Sequence, residues 1–217
     1  MIIVRYADDF IVGFQHEADA RRFLDTMRER LQEFALSLHP EKTRLIEFGR
    51  LAAENRKRRG LGKPETFTFL GFIFICSKTR RGKFQIKRKS RRDRMRAKLQ
   101  AIKQELRRRM HQSIPVQGKW LGQVVKGYFN FHAVPTNSRA LGVFRHRVTL
   151  LWRRVLERRS HKAEMTWERM RKLANDWLPR PRVLHPWPSA RFAVRHPRWG
   201  EPYARIGHVR FCAGGAQ

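Results

Sequence analysis

The sequence Tyr6-Ala7-Asp8-Asp9 lies near the start of the chain, between the apolar stretches Ile2-Ile3-Val4 and Phe10-Ile11-Val12. Short runs of β-branched and aromatic residues on both sides predict the two strands of a hairpin, with adjacent carboxylates at its tip. Neighbouring aspartates offer the hard oxygen ligands that Mg²⁺ prefers, and two-metal phosphoryl-transfer sites hold their ions about 3.5–4 Å apart. A solvated Asp-Asp turn without chemistry is the equally simple alternative.

The charge of the chain points to a polyanionic partner. Its 217 residues include 49 Lys and Arg against 18 Asp and Glu, a formal charge of +31. A compact protein with this imbalance repels itself unless a polyanion neutralises it, so nucleic acid is the expected partner and an anionic membrane surface is the rival. No apolar run approaches the roughly 18 residues of a membrane-spanning helix, so we expect no membrane association. Cys76 and Cys212 are far apart and form no metal-binding pair, which fits a reducing, cytoplasmic location.

The first third of the sequence predicts a mixture of helices and strands. Apolar residues recur at helical spacing over 17–36, which predicts an amphipathic helix. Strands are expected at 45–48, 66–75 and 84–86. The segment 56–64 is basic and contains Gly and Pro, so we expect a loop there.

After Lys89 the periodicity is helical only. We expect four helices, which begin near Ser90, span 116–133, follow Asn137 or Ser138, and follow Thr166. The spacing of the aromatic residues Trp120, Tyr128, Phe129 and Phe131 assigns most of them to the core rather than to base stacking, and it likewise turns Trp167 inward.

One long segment carries charge of a single sign. Residues 78–111 contain 16 Lys or Arg and 2 acids, and most of these cations lie off the apolar stripe of the helix that begins near Ser90. A solvated helix face is the usual interpretation of a charged helix. A face of one sign repels itself, however, so we interpret this one as a phosphate-binding surface.

Taken in this order, the motifs resemble the C-terminal half of a group II intron-encoded reverse transcriptase and maturase. The residues Tyr6-Ala7-Asp8-Asp9-Phe10 resemble the catalytic palm hairpin of that family, and Leu38-His39-Pro40-Glu41-Lys42-Thr43 is similar to the next polymerase motif. Phe69-Leu70-Gly71-Phe72 is similar to the primer-grip hairpin, and residues 120–137 resemble the thumb or maturase-specific domain. The resemblance implies an RNA-directed DNA polymerase of a mobile element, with roles in RNA splicing and intron mobility.

The resemblance also implies a fold and its domains. The expected class is α+β. A partial polymerase palm, a small antiparallel sheet with one helix, is expected over 1–88. A basic, all-α thumb or maturase helical bundle is expected over 89–178, followed by an extended, Pro-rich basic tail over 179–217.

The roles of individual residues follow from the resemblance. Asp8 and Asp9 would be catalytic Mg²⁺ ligands, and Lys42 would lie near the incoming triphosphate unless it is an ordinary surface lysine. Leu70, Gly71 and Phe72 would form the primer grip, where Gly71 either permits close approach of the primer or marks a β-bulge. The expected RNA-binding residues are Arg88, Lys89, Arg91, Arg92, Arg94, Arg96 and Lys98.

The sequence departs from the family before the hairpin. Complete members carry fingers and the first half of the palm there, including another metal-binding Asp, whereas here Met1 stands five residues before Tyr6. We therefore expect a truncated chain that does not polymerise DNA without a separate fingers and upper-palm fragment. Three alternatives stay open: part of a polymerase, a non-catalytic maturase module that binds group II intron RNA or an RNA/DNA hybrid, and the relic of a decayed intron.

Overall fold

The computed structural model describes residues 1–159, 165–188 and 190, and it describes 209–214 as backbone. It divides the chain into two compact units, residues 1–87 with 196–217 and residues 88–195. The elements in chain order are β1 (Ile2–Tyr6), β2 (Asp9–Phe14), α1 (Glu17–Gln32), β3 (Arg44–Phe48), α2 (Ala52–Arg58), β4 (Phe67–Phe69), β5 (Phe72–Lys78), β6 (Phe84–Ser90), α3 (Arg92–Arg108), α4 (Ile114–His132), α5 (Ser138–Arg159), α6 (Trp167–Trp177) and β7 (Val209–Gly214).

The first unit contains a four-stranded sheet in the order β1–β2–β7–β3. Strand β7 pairs antiparallel with β2 and with β3. Strands β2 and β3 therefore run parallel to each other, and α1 connects them. The sequence predicts an extended tail over 179–217, whereas residues 209–214 pair in the middle of this sheet. The local pattern could not show this, because the partners of β7 lie near the other end of the chain.

The core of this sheet lies under α1. Val12, Phe14 and Ala20 are buried together, and the rings of Phe14 and Phe23 are 5.3 Å apart. Helix α1 ends at Gln32, earlier than the expected 36, so Phe34 lies beyond it and is exposed. Strand β1 is exposed along its whole length. Of the apolar residues predicted for this helix, Ala20 and Phe23 therefore pack in the core, whereas Phe34 does not.

A second sheet of the first unit has the order β4–β5–β6. The expected single strand over 66–75 is wrong, because the chain turns at Leu70 and Gly71 between β4 and β5. The loop expected over 56–64 is wrong for residues 56–58, because these residues form the last turn of α2. Their positive charges interact favourably with the carbonyl end of the helix.

The second unit packs helices α3 to α6 around one core. Trp152 is fully buried, and its indole nitrogen donates to the side-chain oxygen of Gln117 over 2.9 Å. The same Gln117 donates its amide group to the carbonyl oxygen of Arg109 over 2.8 Å, at the end of α3. The four helices predicted after Lys89 are present, and a polar side chain joins three of them inside the core.

Most of the aromatic residues of α4 lie in or against the core, as expected: Tyr128 and Phe129 are buried and Trp120 packs against them, whereas Phe131 is 54% exposed on the opposite side of the helix. Two expectations for the second unit are corrected. Ser90 does not cap α3; Arg91 is the N-cap residue, and the Ser90 hydroxyl contacts His132 instead. Trp167 is 40% exposed, because it stands in the first turn of α6 beside Arg153 rather than in the core.

Among the described residues, none of the helices combines the length and the apolar character that crossing a membrane requires.

Candidate functional sites

The two hairpin carboxylates lie at the tip of a tight turn. Tyr6 pairs with Asp9 across β1 and β2, so Ala7 and Asp8 are the two turn residues. Ala7 has φ of 51°, a conformation that costs energy for a residue with a Cβ. The guanidinium of Arg5 donates to the carbonyl oxygen of Ala7 over 3.0 Å and supports this turn. Asp8 and Asp9 are both exposed. The hairpin predicted from the sequence is therefore present, and its two acids lie at a turn that strand pairing and Arg5 hold in place.

The carboxylates of Asp8 and Asp9 are the type of ligand that Mg²⁺ prefers, but two residues are too few to enclose a metal site. Carboxylate oxygens are the ligands that Mg²⁺ takes in two-metal sites, and Asp8 and Asp9 supply two adjacent ones. Within the described part of the chain, no group of three or more His, Cys, Asp or Glu residues converges to hold a metal. The pair can bind an ion together with further ligands from substrate or solvent, and by itself it does not enclose two metals.

The other polymerase-like residues lie on turns. Lys42 is exposed in the turn before β3, where its backbone N–H donates to the carbonyl oxygen of His39 over 3.2 Å. Leu70 and Gly71 have φ of 48° and 77° in the two-residue turn between β4 and β5. Phe72, directly after the turn, is buried. Phe69 pairs with Phe72 across this turn, so Gly71 is a turn residue and the β-bulge alternative for it is wrong.

The basic surface of α3 has a clear charge pattern. Asp93 accepts two hydrogen bonds from Arg91, at 3.0 and 2.5 Å, and this contact lowers the pKa of the Asp93 carboxyl. Glu105 pairs with Arg108 and Arg109. Both acids of α3 are therefore engaged in ion pairs with arginines. Arg92, Arg94, Arg96 and Lys98 are exposed and make no ion pair with any residue that the structure describes.

Helical geometry divides these four cations into two rows. Arg92 and Arg96 lie one turn apart on one flank of the buried stripe of α3, and Arg94 and Lys98 lie one turn apart on the other flank. Lys89, also exposed, belongs to the end of β6 just before the helix. Arg91, also predicted to bind RNA, is paired with Asp93, which offsets its charge.

A buried polar cluster fixes the chain segment that leads into α3. The backbone N–H of Arg88 donates to the hydroxyl of Thr136 over 2.9 Å. The Ser90 hydroxyl lies 2.9 Å from Nδ1 of His132, and Asn137 contacts both residues. Sequence reasoning missed this cluster. The only signal was the presence of Asn137 at a helix start, which we interpreted as a cap.

Burial lowers the pKa of His132. The ring is half-buried and stacks on Tyr128 at 4.2 Å between centroids. Desolvation lowers the pKa of His132 from 6.5 to about 4, so the ring is neutral at physiological pH. Ser90 Oγ accepts from the amide of Asn137, which leaves its own proton to donate to Nδ1 of His132. The cluster is therefore structural, with a neutral imidazole.

Comparisons with known proteins give one family. A search of curated proteins and a search of solved structures each returned no match. The scan against family models found a match over the segment that holds β1 to β4, both carboxylates of the hairpin and Lys42. Residues 1–74 match the model of the reverse transcriptase (RNA-dependent DNA polymerase) family, and this part of the chain is therefore similar to reverse transcriptases.

Proposed function

We propose that this chain is of the group II intron reverse transcriptase and maturase type, that it does not polymerise DNA by itself, and that its helical unit binds structured intron RNA through the exposed cations of α3. The observation that carries the proposal is the presence of four exposed cations on this helix without an ion pair among the described residues. Arg92, Arg94, Arg96 and Lys98 stand on a helix whose two acids are already paired with other arginines. The match to reverse transcriptases over residues 1–74 supports a nucleic-acid partner.

The electrostatics favour a phosphate ligand over solvent. An ordinary solvated helix carries both signs of charge at a spacing of three or four residues, so that the pairs stabilise the helix. On α3 the exposed cations have neighbours of the same sign at that spacing, which destabilises the free helix by repulsion. Phosphates remove this repulsion and release condensed counterions. The helix is therefore better suited to a bound polyanion than to water.

The support of α3 favours a rigid binding surface. Thr136 and Asn137 hold the backbone N–H groups of Arg88 and Ser90 at 2.9 and 3.0 Å, just before the helix begins. Ile102 and Leu106 anchor the other face of α3 in the core of the second unit. Side chains on a fixed helix lose less entropy on binding than side chains on a loop. The exposed cations of α3 are therefore carried by a helix whose position is fixed by the core and by these hydrogen bonds.

The polymerase part of the proposal concerns the first unit. Asp8 and Asp9 would hold Mg²⁺ when it is bound, and the metal would supply charge stabilisation at a transferred phosphoryl group. Lys42 would contact the triphosphate of an incoming nucleotide, and Leu70, Gly71 and Phe72 would contact the primer strand. The group II intron assignment rests on the resemblance of residues 6–10, 38–43, 69–72 and 120–137 to that family, taken together in this order.

Binding to a group II intron RNA across a salt series tests the proposal. About six phosphate contacts predict that affinity falls roughly 10³-fold between 50 and 200 mM salt. The double variant Arg92→Glu/Arg96→Glu should bind at least about tenfold more weakly at low salt, with a flatter salt dependence. Discrimination among RNAs should follow their folded shape, because phosphate contacts carry little sequence information.

A matched control separates the α3 surface from the general charge of the protein. Arg154 and Arg158 are exposed on α5 at the same spacing of four residues, so Arg154→Glu/Arg158→Glu changes the net charge by the same amount. It should weaken binding much less than the α3 variant. Equal losses in both double variants, or a flat salt dependence of the wild-type protein, would contradict the assignment of the binding surface to α3.

A further inference from the structure

A second cationic site lies in the helical unit, between α5 and α6. The two helices border an open cavity of about 560 Å³, within the range of roughly 300–1,000 Å³ that small-ligand sites occupy. The residues of its lining that carry hydrogen-bonding, charged or aromatic groups are Arg145, His146, Thr149, Trp167, Arg171 and Asn175. None of these belongs to the α3 surface.

The charge of the cavity is positive. Arg145 and Arg171 both line it, and no acidic side chain is among its described lining residues. Arg145 donates from Nη2 to the carbonyl oxygen of Ala174 over 2.7 Å and to Oδ1 of Asn175 over 3.1 Å, with a longer contact to the carbonyl oxygen of Leu178 at 3.5 Å. Its Nε donates to the carbonyl oxygen of Pro179 over 3.2 Å, so the guanidinium is fixed at the end of α6 and Nη1 is its remaining donor group. Partial burial lowers the pKa of Arg145, and the nearby charge of Arg180 adds to this effect. An anion in the cavity would meet one fixed cation and one exposed, adjustable cation.

Trp167 presents an indole ring at the edge of this cavity. One face of the ring is covered by Arg153, whose guanidinium carbon lies 4.2 Å from the ring centroid. Arg153 is held there by the carbonyl oxygen of Met165 at 3.1 Å and by Glu157 at 2.8 Å. Trp167 as a residue is still 40% exposed, so part of it stays accessible to a ligand.

Hydrogen-bonding groups complete the site. The oxygen of the Asn175 amide accepts from Arg145, so its NH₂ group is the part that can donate to a ligand. His146 is exposed beside Arg145 on α5. The Thr149 hydroxyl donates to the carbonyl oxygen of Arg145 over 3.0 Å and belongs to the frame of the helix. An aromatic ring next to two arginines and an amide suits a nucleotide better than a carboxylate, which would not use the ring.

We propose that the cavity between α5 and α6 binds one unstacked nucleotide of single-stranded RNA, with the base on Trp167 and the adjacent phosphate on Arg171 and Arg145. The proposal takes its RNA ligand from the proposed function but uses different residues. A duplex hides its bases in the stack, so only single strands, loops and bulges offer the ligand. The site would add selection for unpaired segments to the shape-based binding by α3.

The test uses the full chain and a fluorescently labelled, unstructured RNA of about eight nucleotides. Trp167→Ala should weaken binding about tenfold or more, since stacking on one aromatic residue supplies that much affinity. Trp167→Phe keeps a ring and should recover most of the affinity. Arg171→Gln should weaken binding and reduce the salt slope by about one unit. Stacking should also quench tryptophan fluorescence in the wild type, and Trp167→Ala should remove that quenching.

Two control variants make the same types of substitution at residues that do not line the cavity. Trp187 is 51% exposed and does not line it, so Trp187→Ala should leave affinity and quenching unchanged. Arg169 lies on α6, also outside the lining, so Arg169→Gln removes the same charge as Arg171→Gln. Thermal melts of each variant show that it is folded. Equal effects of Arg169→Gln and Arg171→Gln would overturn the phosphate assignment.

Three further ligands distinguish the source of the nucleotide. A duplex of the same sequence and inorganic phosphate should show no dependence on Trp167. A free mononucleotide that binds as tightly as the oligonucleotide, with the same Trp167 dependence, would overturn the strand assignment. Unchanged binding of the short RNA by Trp167→Ala would overturn the site itself. These results are independent of the intron RNA measurement on Arg92→Glu/Arg96→Glu, so the two proposals fail separately.

Discussion

Asn137 holds Ser90 at two points. Its Oδ1 accepts the backbone N–H of Ser90 over 3.0 Å, and its Nδ2 donates to the Ser90 hydroxyl over 2.7 Å. The same Nδ2 also donates to the carbonyl oxygen of His132 over 2.8 Å. One buried amide thus joins the end of β6, the end of α4 and the start of α5.

Removal of this amide should destabilise the helical unit. Asn137 is 1% exposed, so Asn137→Ala leaves the N–H of Ser90 without its partner in a buried place. We expect a loss of about 2–4 kcal/mol in the free energy of unfolding, measured by urea denaturation. Asn130→Ala on the exposed side of α4 is the control and should change stability by less than about 0.5 kcal/mol. A similar loss in both variants would contradict the role of Asn137.

The neutral His132 should make the protein less stable in acid. The pKa of His132 is lowered to about 4 in the folded state against 6.5 in the unfolded chain. The unfolded state therefore binds the proton first, so this contribution to stability is complete above pH 6.5 and is lost as the pH falls towards 4. Because the ring is only half-buried, we expect about 1–2 kcal/mol less stability at pH 5 than at pH 8.

Urea denaturation at several pH values measures this effect. The variant His132→Gln cannot take up the proton and should show a flatter dependence of stability on pH between 5 and 7. An unchanged slope in His132→Gln would assign the acid sensitivity to other groups.

Two glycines of α4 should respond oppositely to a methyl group. A Cβ at Gly122 would lie 2.6 Å from the carbonyl oxygen of Trp177, so Gly122→Ala forces α4 and α6 apart and should cost about 1–3 kcal/mol. A Cβ at Gly127 would meet no atom within 4 Å. Gly127→Ala should therefore stabilise the protein by about 0.5–1 kcal/mol through backbone entropy alone. Thermal unfolding of both variants compares them, and the same sign of change would refute the close contact.

Strand β7 should be required for the sheet of the first unit. Cys212 pairs with Val12 on one side and with Leu45 on the other. A proline in a central strand removes a ladder hydrogen bond, so Cys212→Pro should cost at least about 2 kcal/mol. Amide hydrogen exchange at Val12 and Leu45 should accelerate. Cys212→Ala keeps the backbone donor and is the matched control. Unaltered exchange in Cys212→Pro would mean that β2 and β3 do not depend on β7.

The isolated chain should not extend a primer on an RNA template with Mg²⁺. Asp8 and Asp9 are two adjacent carboxylates, and within the described residues no third acid joins them. Asp8→Ala should leave RNA affinity and its salt dependence unchanged, because the hairpin acids are not part of the α3 surface. Primer extension by the chain alone that disappears in Asp8→Ala would refute this prediction.

Local patterns determined several features of this protein in advance. Short runs of β-branched and aromatic residues on both sides of Tyr6 to Asp9 predicted the hairpin and its carboxylates, because strand propensity and a tight turn act over a few neighbouring residues. The four helices after Lys89 followed from periodicity, and the cationic surface followed from residue counts. The reverse transcriptase character of residues 1–74 was visible in short motifs for the same reason.

Only the tertiary structure decided which distant residues meet. Strand β7 enters the sheet beside residues far from it in the sequence, and Asn137 reaches Ser90 across 47 positions. The same helical spacing placed Trp167 in a core stripe, yet its position in the first turn of α6 leaves it exposed next to Arg153. Periodicity states which side of a helix is apolar, whereas packing against the neighbouring helices sets how much of that side is covered.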